Sequence, residues 1–242
     1  MSTADPSEIE KFEKLAHEWW DPSGKFRPLH DINPIRVDYI VDQISKHYPD
    51  KEPTDIRVLD IGCGGGILCE ALAMQGYQIT AIDRSDEIVN VARAHQKQSG
   101  SSVEYLTTSS EALLKDRAGH YDVVVSMEVL EHVSNPPLFL EECGGLIKPD
   151  GLFFFATLNR TIKSFLFAIV GAEYILNWLP RGTHEYAKFI RPSEVTQWLR
   201  EQNIRVRDVS GITFNPRSIE WHLSRDASVN YMGFAHKIVV DK

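Results

Sequence analysis

From residue 57 to residue 157 the hydrophobic period switches repeatedly between two and about 3.6 residues. Arg57–Ile61, Gln78–Asp83, Val103–Thr107, Tyr121–Ser126 and Gly151–Thr157 are short runs rich in Val, Ile, Phe and Tyr, and they read as strands. Ile67–Met74, Asp86–Gln98 and Pro137–Cys143 carry apolar residues at helical spacing between them. Strands that alternate with helices predict parallel pairing through right-handed crossovers, with helices burying both faces of the sheet. Ile204–Val209 and Phe234–Val240 bring the expected strands to seven. The expected fold is α/β and doubly wound, with its ligand at the carboxyl ends of the strands where the chain reverses direction across the sheet.

Two helices are expected before the sheet. Asp5-Pro6-Ser7-Glu8 offers a capping residue, a proline for the first turn and a glutamate placed to reach back in a capping box. Ile9, Phe12, Ala16 and Trp19 then form one apolar face. A turn-rich stretch, Trp20-Asp-Pro-Ser-Gly-Lys25, precedes a second helix that Asn33-Pro34 announces and that carries Val37, Ile40, Val41 and Ile44. After the fifth strand the rhythm breaks. Residues 160–191 hold the apolar and aromatic runs Phe165-Leu-Phe-Ala-Ile-Val170 and Tyr174-Ile-Leu-Asn-Trp-Leu179, and Arg191-Pro-Ser-Glu194 opens a further helix.

Composition narrows the function classes. With 43% hydrophobic residues among 242, the chain can bury a sizeable core and does not have the composition of a disordered protein. Lys+Arg number 26 against 34 Asp+Glu, and the net charge of −8 argues against a nucleic-acid partner. Cys63, Cys69 and Cys143 form no C-x-x-C pair and are expected as free thiols in a reducing compartment. The acidic N-terminal stretch has neither an apolar signal core nor the Arg-rich look of a transit peptide. The longest apolar run, Phe165–Val170, is far short of the ~20 residues that a bilayer span needs. A cytoplasmic protein is expected, with any membrane role peripheral.

Candidate chemistry begins where the first strand ends, in Asp60-Ile-Gly62-Cys-Gly64-Gly65-Gly66. Glycines at a strand-to-helix turn let the backbone approach a ligand closely and aim helix N-terminal amides at an anionic group. A dinucleotide G-x-G-x-x-G fails in both frames, because Ile67 or Cys69 stands where the third glycine is required. D-x-G-x-G-x-G does fit, through Asp60, Gly62, Gly64 and Gly66, and resembles the first motif of the Rossmann-like, class I S-adenosylmethionine-dependent methyltransferases. Asp83 ends the second strand roughly 20 residues later, where a carboxylate can accept from both ribose hydroxyls. Thr108-Ser109-Ser110-Glu111, after the third strand, either flanks an adenine or caps a helix.

The fourth strand runs into Met127-Glu128-Val-Leu-Glu131-His132. If a helix starts there, Glu128, Glu131 and His132 stand at i, i+3 and i+4 on one face, a donor set suited to a hard divalent cation such as magnesium. A Leu-Glu-His turn also occurs in methyltransferases that use no metal, and Glu128 is what favours the ion.

Taken whole, the chain resembles the ubiquinone-biosynthesis O-methyltransferases, which methylate polyprenyl-catechol intermediates (2-polyprenyl-6-hydroxyphenol and 3-demethylubiquinol). The resemblance runs from Phe12 to Tyr231. It is carried by Trp19-Trp20-Asp21, Phe26-Arg-Pro-Leu-His30-Asp-Ile-Asn-Pro34-Ile-Arg36, the glycine loop, Met127-Glu-Val-Leu-Glu-His132, Thr157-Leu-Asn-Arg160, Val170-Gly-Ala-Glu-Tyr-Ile-Leu176, Gly182-Thr-His184 and Val229-Asn-Tyr231. The expected organisation is one methyltransferase domain over 1–242, with 1–50 folded over the cofactor site and 160–191 inserted. The resemblance implies that Arg36 pairs with the methionine carboxylate of S-adenosylmethionine, Gly62 allows close backbone approach, Asp83 holds the ribose and Met127 lies along the cofactor. Gly64 belongs to the same cofactor loop. It also implies that Glu128, Glu131 and His132 hold magnesium.

The expected reaction is an in-line displacement at the sulfonium methyl by a phenolic oxygen, helped when a metal aligns vicinal oxygens and lowers a phenol pKa. Glu128 and His132 are the catalytic candidates, with His132, when it is not a ligand, or His184 accepting the proton. A polyprenylated acceptor resides in lipid. Residues 160–191 hold five basic side chains and two acidic ones, +3 within a chain of −8. They are expected as an anchor on the anionic inner face of the membrane, as a lid over an apolar pocket, or as both. Other ubiquinone-biosynthesis proteins are candidate partners. Two rival readings are an O- or C-methyltransferase of another small phenol and a cofactor-binding assembly subunit without turnover. The intact glycine loop, Asp83 and Glu128–His132 disfavour the latter.

Overall fold

The computed structural model describes residues 3, 5–165, 185–215 and 220–239. Strands β1 (Arg57–Ile61), β2 (Gln78–Asp83), β3 (Val103–Thr107), β4 (Tyr121–Met127) and β5 (Ile147–Leu158) pair in parallel. β6 (Ile204–Asn215), β7 (Glu220–Ser224) and β8 (Asn230–Lys237) join antiparallel, and the sheet order is β3-β2-β1-β4-β5-β8-β6-β7. Helices α1 (Pro6–Glu13), α2 (Arg27–His47), α3 (Ile67–Met74), α4 (Asp86–Ser99), α5 (Ser110–Arg117), α6 (Pro136–Leu146), α7 (Ile162–Ser164) and α8 (Pro192–Glu201) complete the described elements.

The central strands show why their sequences read as continuous apolar runs. Every residue of β4 is buried, because helices cover both faces of the sheet. Val123, Val125 and Phe154 point to the side that packs on Ile40 and Ile44 of α2 and Leu72 of α3. Val124, Phe153 and Phe155 point to the other, against Leu140 of α6 and Leu199 of α8. Period-two alternation thus distributes one strand's side chains between two cores.

Four expectations change. The seven expected strands are eight, because β6 runs past Val209 to Asn215 and its second half leaves β8 to pair with β7. An irregularity in register between Val206 and Asp208 bends the strand. At Gly211 the crossing is so close that a Cβ would lie 1.9 Å from the Asp226 carbonyl oxygen. Second, α2 begins at Arg27, with Pro28 in its first turn and Pro34 inside it. Third, Asp5 caps α1 by accepting from Ser7 N at 3.0 Å, but Glu8 turns inward and closes no capping box. Fourth, Leu130–His132 is a single 3₁₀ turn, and Glu128 before it has a left-handed φ of 52°. That backbone prevents a helix from starting at Glu128.

The three cysteines are free and buried. Ser109 caps α5 by accepting from Ala112 N at 3.1 Å. No helix among the described residues is long and apolar enough to cross a membrane.

Candidate active site

β1 and β2 end side by side, and the glycine loop folds back on β2: Gly62 N and Cys63 N donate to Ile82 O at 2.8 and 3.0 Å. Gly62, Gly64 and Gly66 have φ of 76°, 55° and 95°, which side chains disfavour. Space excludes a side chain as well. A Cβ on Gly62 would stand 2.4 Å from Val129 Cγ2, and one on Gly64 would stand 2.1 Å from the Trp19 ring. Asp83, at the tip of β2, accepts from Gly64 N and Ser85 N at 3.1 Å each. Burial pushes the Asp83 carboxyl up against the pull of these amides. Asp60 is fully within the protein, and burial together with the Asp83 charge raises it to about 7, while Arg36 opposes them.

The N-terminal segment is tied down on this loop. Trp20 Nε1 donates to Gly65 O at 2.8 Å, Asn33 Nδ2 donates to Ile67 O at 3.0 Å, and Trp19 stacks on Phe26 with centroids 4.0 Å apart. His30 Nε2 lies 2.9 Å from Trp19 O. Trp19, Trp20 and His30 therefore act as packing for the loop.

β4 delivers the other end of the site. The Glu128 carboxylate forms an ion pair with Arg36 of α2, whose side chain is only 5% exposed. Burial raises the Glu128 pKa, Arg36 and His132 lower it, and the neighbouring Glu131 raises it further. Glu131 is buried, accepts from Thr157 Oγ1 at 2.7 Å, and has no hydrogen-bond partner at Oε1. His132 Nδ1 meets Glu8 Oε2 at 2.9 Å, with Phe12 edge-on to its ring at 5.1 Å. Burial disfavours a charged Glu8. Hydrogen bonds from His132, Lys188 and Lys11 nevertheless hold its carboxyl well below the usual range. In the tautomer that donates Nδ1–H to the Glu8 carboxylate, a neutral ring presents Nε2 as the acceptor.

A cavity of about 830 Å³ joins the two ends. Arg36, Gly62, Gly64, Asp83, Met127, Glu128 and His132 all line it, whereas Glu131 stands behind on Thr157. The structure thus gathers the expected cofactor residues but not the expected single face of metal ligands. Glu128, Glu131 and His132 have three different partners, and the i, i+3, i+4 argument fails with the helix it assumed. Among the described residues, the group of three whose ligand atoms all lie within 4.8 Å is His47, Asp150 and His236, near the start of β5. His184 and residues 166–184 of the apolar segment lie outside the described residues.

Two contributors escape a reading of the sequence. Glu8 shares a helix face with Phe12, and a carboxylate on an apolar face was the available signal. Ile212, Phe214 and Trp221 also line the cavity, and their period-two spacing in β6 and β7 was the corresponding sign.

A family model described as a methyltransferase domain matches residues 32–209. A ubiquinone biosynthesis O-methyltransferase of Paraburkholderia xenovorans is 50% identical over 232 residues, covering 96% of this chain and 97% of its own. That of an Azoarcus species is 47% identical and covers 98% and 99%. Among solved structures, magnesium protoporphyrin IX methyltransferase of Synechocystis PCC 6803 with bound SAH gives a TM-score of 0.61 at 16% identity, covering 95% and 87%. A SAM-dependent methyltransferase from Aquifex aeolicus gives 0.54 at 19%, covering 97% and 99%. At these identities the two structures share the fold with this chain.

Proposed function

The chain belongs to the ubiquinone biosynthesis O-methyltransferase family, and on that footing we propose that its acceptor is a polyprenylated catechol or quinol, methylated at a phenolic oxygen. It is a class I, S-adenosylmethionine-dependent O-methyltransferase of ubiquinone biosynthesis. The observation that carries the acceptor reading is the shared cavity. Its glycine loop and Asp83 face one way, its carboxylate and imidazole face the other, and much of the remaining wall is apolar.

In this reading Asp83 accepts from the ribose, Gly62 and Gly64 bring the backbone against the cofactor, and Met127 lies along it. Arg36 takes the methionine carboxylate. Glu128 already pairs with Arg36, so cofactor binding shares or exchanges that partner, and a guanidinium with five donors can serve both. Glu128 and His132 at the other end of the cavity would then position the acceptor's phenolic oxygen for an in-line attack on the bound cofactor.

Glu128, Glu131 and His132 suit a hard divalent cation by donor type, although the structure does not bring their ligand atoms together. Glu131 Oε1 is buried without a hydrogen-bond partner, and the two carboxylates repel each other. To hold magnesium these three residues would have to leave their present partners and converge, and the ion would then supply Lewis acidity that lowers a phenol pKa. Glu8 fixes the ring through Nδ1 and so aims Nε2 of His132. The three separate partners seen in the structure support a second reading, in which Nε2 takes the phenolic proton directly. Methyl transfer to a short-chain prenyl catechol, followed by mass spectrometry with magnesium and with a chelator, tests both. Product lost on chelation is expected for the metal reading, product that survives leaves His132 as the base, and no product removes the acceptor.

The acceptor's tail dissolves in lipid, which supports a peripheral place on the anionic cytoplasmic face of a membrane, with the basic and apolar residues 160–191 as anchor or lid. Flotation with anionic vesicles is the measurement. Intact protein that stays with the dense fraction refutes the anchor.

A further inference from the structure

We propose that the apolar face of the β6–β7 hairpin, opposite the first turns of α2, is the subsite for the acceptor's isoprenoid tail; this rests on the acceptor reading above. Register pairs Ile212 with Leu223 and Phe214 with Trp221. Alternation then puts all four on one face, while Thr213 and His222 occupy the other and meet at 3.0 Å. Ile212 and Trp221 already pack on the core that includes Ile32 of α2, which leaves the exposed Phe214 and Leu223 to take an apolar partner.

The structure supplies that partner's path. Ile212, Phe214 and Trp221 line the same cavity as Glu128 and His132, and Pro28, Leu29 and Ile32 of α2 line it too. On the hairpin face Ile212 is 4% exposed, whereas Phe214 and, directly across from Ile212, Leu223 are 42% and 39% exposed. Exposed Phe214 and Leu223 beside the buried Ile212 carry an apolar surface from the cavity that holds the reacting groups to solvent. The nearby charges at Lys163 and Asp226 form an ion pair with each other.

Volume points the same way. About 830 Å³ lies toward the upper end of the ~300–1,000 Å³ range of single-ligand sites, yet this cavity has to take a nucleoside cofactor and an aromatic ring together. A chain of isoprene units must leave it, and an apolar strand face at the cavity wall is the exit that matches a hydrocarbon. The eighth strand supplies one wall: the part of β6 beyond Ser210 adds nothing to the pairing with β8 and instead carries the hairpin out over the cavity.

The test compares a catechol bearing about three prenyl units with the same catechol lacking a tail, using wild type and a Phe214→Ser, Leu223→Ser double variant. Wild type is expected to favour the prenylated acceptor. The variant is expected to lose about tenfold in kcat/KM for that acceptor, with the tail-free acceptor and the affinity for S-adenosylhomocysteine unchanged. Equal losses for both acceptors, or no loss for either, overturn the subsite while leaving the acceptor reading standing. Wild type inactive on both acceptors overturns that reading and the subsite with it. Should the double variant fail to fold, Leu223→Gln alone, at a position already 39% exposed, gives the same comparison with a smaller selective loss.

Discussion

The glycine loop after β1 and the Glu128–His132 turn after β4 lie at the carboxyl ends of adjacent strands, yet they are held in different ways. The backbone of the loop is bonded within its own βαβ unit: Gly62 and Cys63 reach Ile82, and Gly64 reaches Asp83. In the turn each ionisable side chain is held from a distance, Glu128 by Arg36, Glu131 by Thr157 and His132 by Glu8. Backbone conformation builds the first end and long-range charge pairing builds the second. Two of the turn's three partners come from α1 and α2, so docking of the N-terminal helices and assembly of the reacting groups are one event. The cofactor loop takes a cover from the N-terminal segment, through Trp19 and the Trp20 and Asn33 hydrogen bonds, but the bonds that shape its backbone at Gly62, Cys63 and Gly64 go to β2.

The largest effect is expected where that pairing is broken at a buried charge. Glu128→Ala leaves the Arg36 guanidinium buried and unpaired, which costs about 3 kcal/mol, toward the low end of the range because Glu128 itself keeps 28% exposure. Urea unfolding should show this loss. S-adenosylhomocysteine should restore part of it, since its carboxylate offers Arg36 a new partner. Turnover should fall by about 100-fold or more. An unchanged unfolding midpoint would break the contrast between the two ends.

Next comes Glu8→Gln, which weakens the grip on His132 without touching the loop. Loss of an orienting carboxylate typically costs about 10- to 100-fold, and that loss is expected in kcat while the Kd for S-adenosylhomocysteine stays within about twofold. If both fell together, Glu8 would serve docking alone.

The same contrast explains what could be read from the sequence. β1, β2, β3 and α3 begin and end where their apolar periods do, and the loop between β1 and α3 carries its ligand chemistry in consecutive residues. The partners of its Gly62, Cys63 and Gly64 amides lie within one βαβ unit. The turn after β4 defeats such reading, because the left-handed Glu128 and the single 3₁₀ turn are set by Arg36, Thr157 and Glu8 arriving from elsewhere. Pro34 misleads for a related reason: its surroundings resemble a helix start, but Pro28 already occupies that role and tertiary packing tolerates the second proline. β7 is only five residues long, and its alternation of Trp221 and Leu223 is too short a signal to name a strand until β6 lies beside it.

A third and smaller effect belongs to the loop. Gly64→Ala places a Cβ in a left-handed backbone, a strain of about 1–2 kcal/mol, and drives Trp19 from its seat. Affinity for S-adenosylmethionine should fall about tenfold, whereas kcat at saturating cofactor should stay within about twofold of wild type. A large fall in kcat instead would show that the loop also sets the reacting groups.

The smallest effect isolates pairing from burial. Arg117 holds Glu104 with two bonds, at 2.7 and 2.8 Å, and Thr80 adds a third at 2.8 Å. The guanidinium bonds, aided by Thr80, lower the Glu104 carboxyl from 4.5 to about 2. A folded pKa below the unfolded one stabilises above the unfolded value and is lost as pH falls from about 4.5 through about 2. With Glu104 48% and Arg117 28% exposed, solvent screening reduces the contribution to about 1 kcal/mol or less. Glu104→Gln should therefore flatten the acid limb of the unfolding curve slightly and leave methyl transfer at neutral pH unchanged. The pair has better geometry than most ion pairs and still does little, because neither charge loses its water. Arg36 and Glu128 matter more because burial leaves Arg36 no solvent to fall back on, and a drop in methyl transfer in Glu104→Gln would show that distant pairing of any kind, buried or not, governs the reacting end.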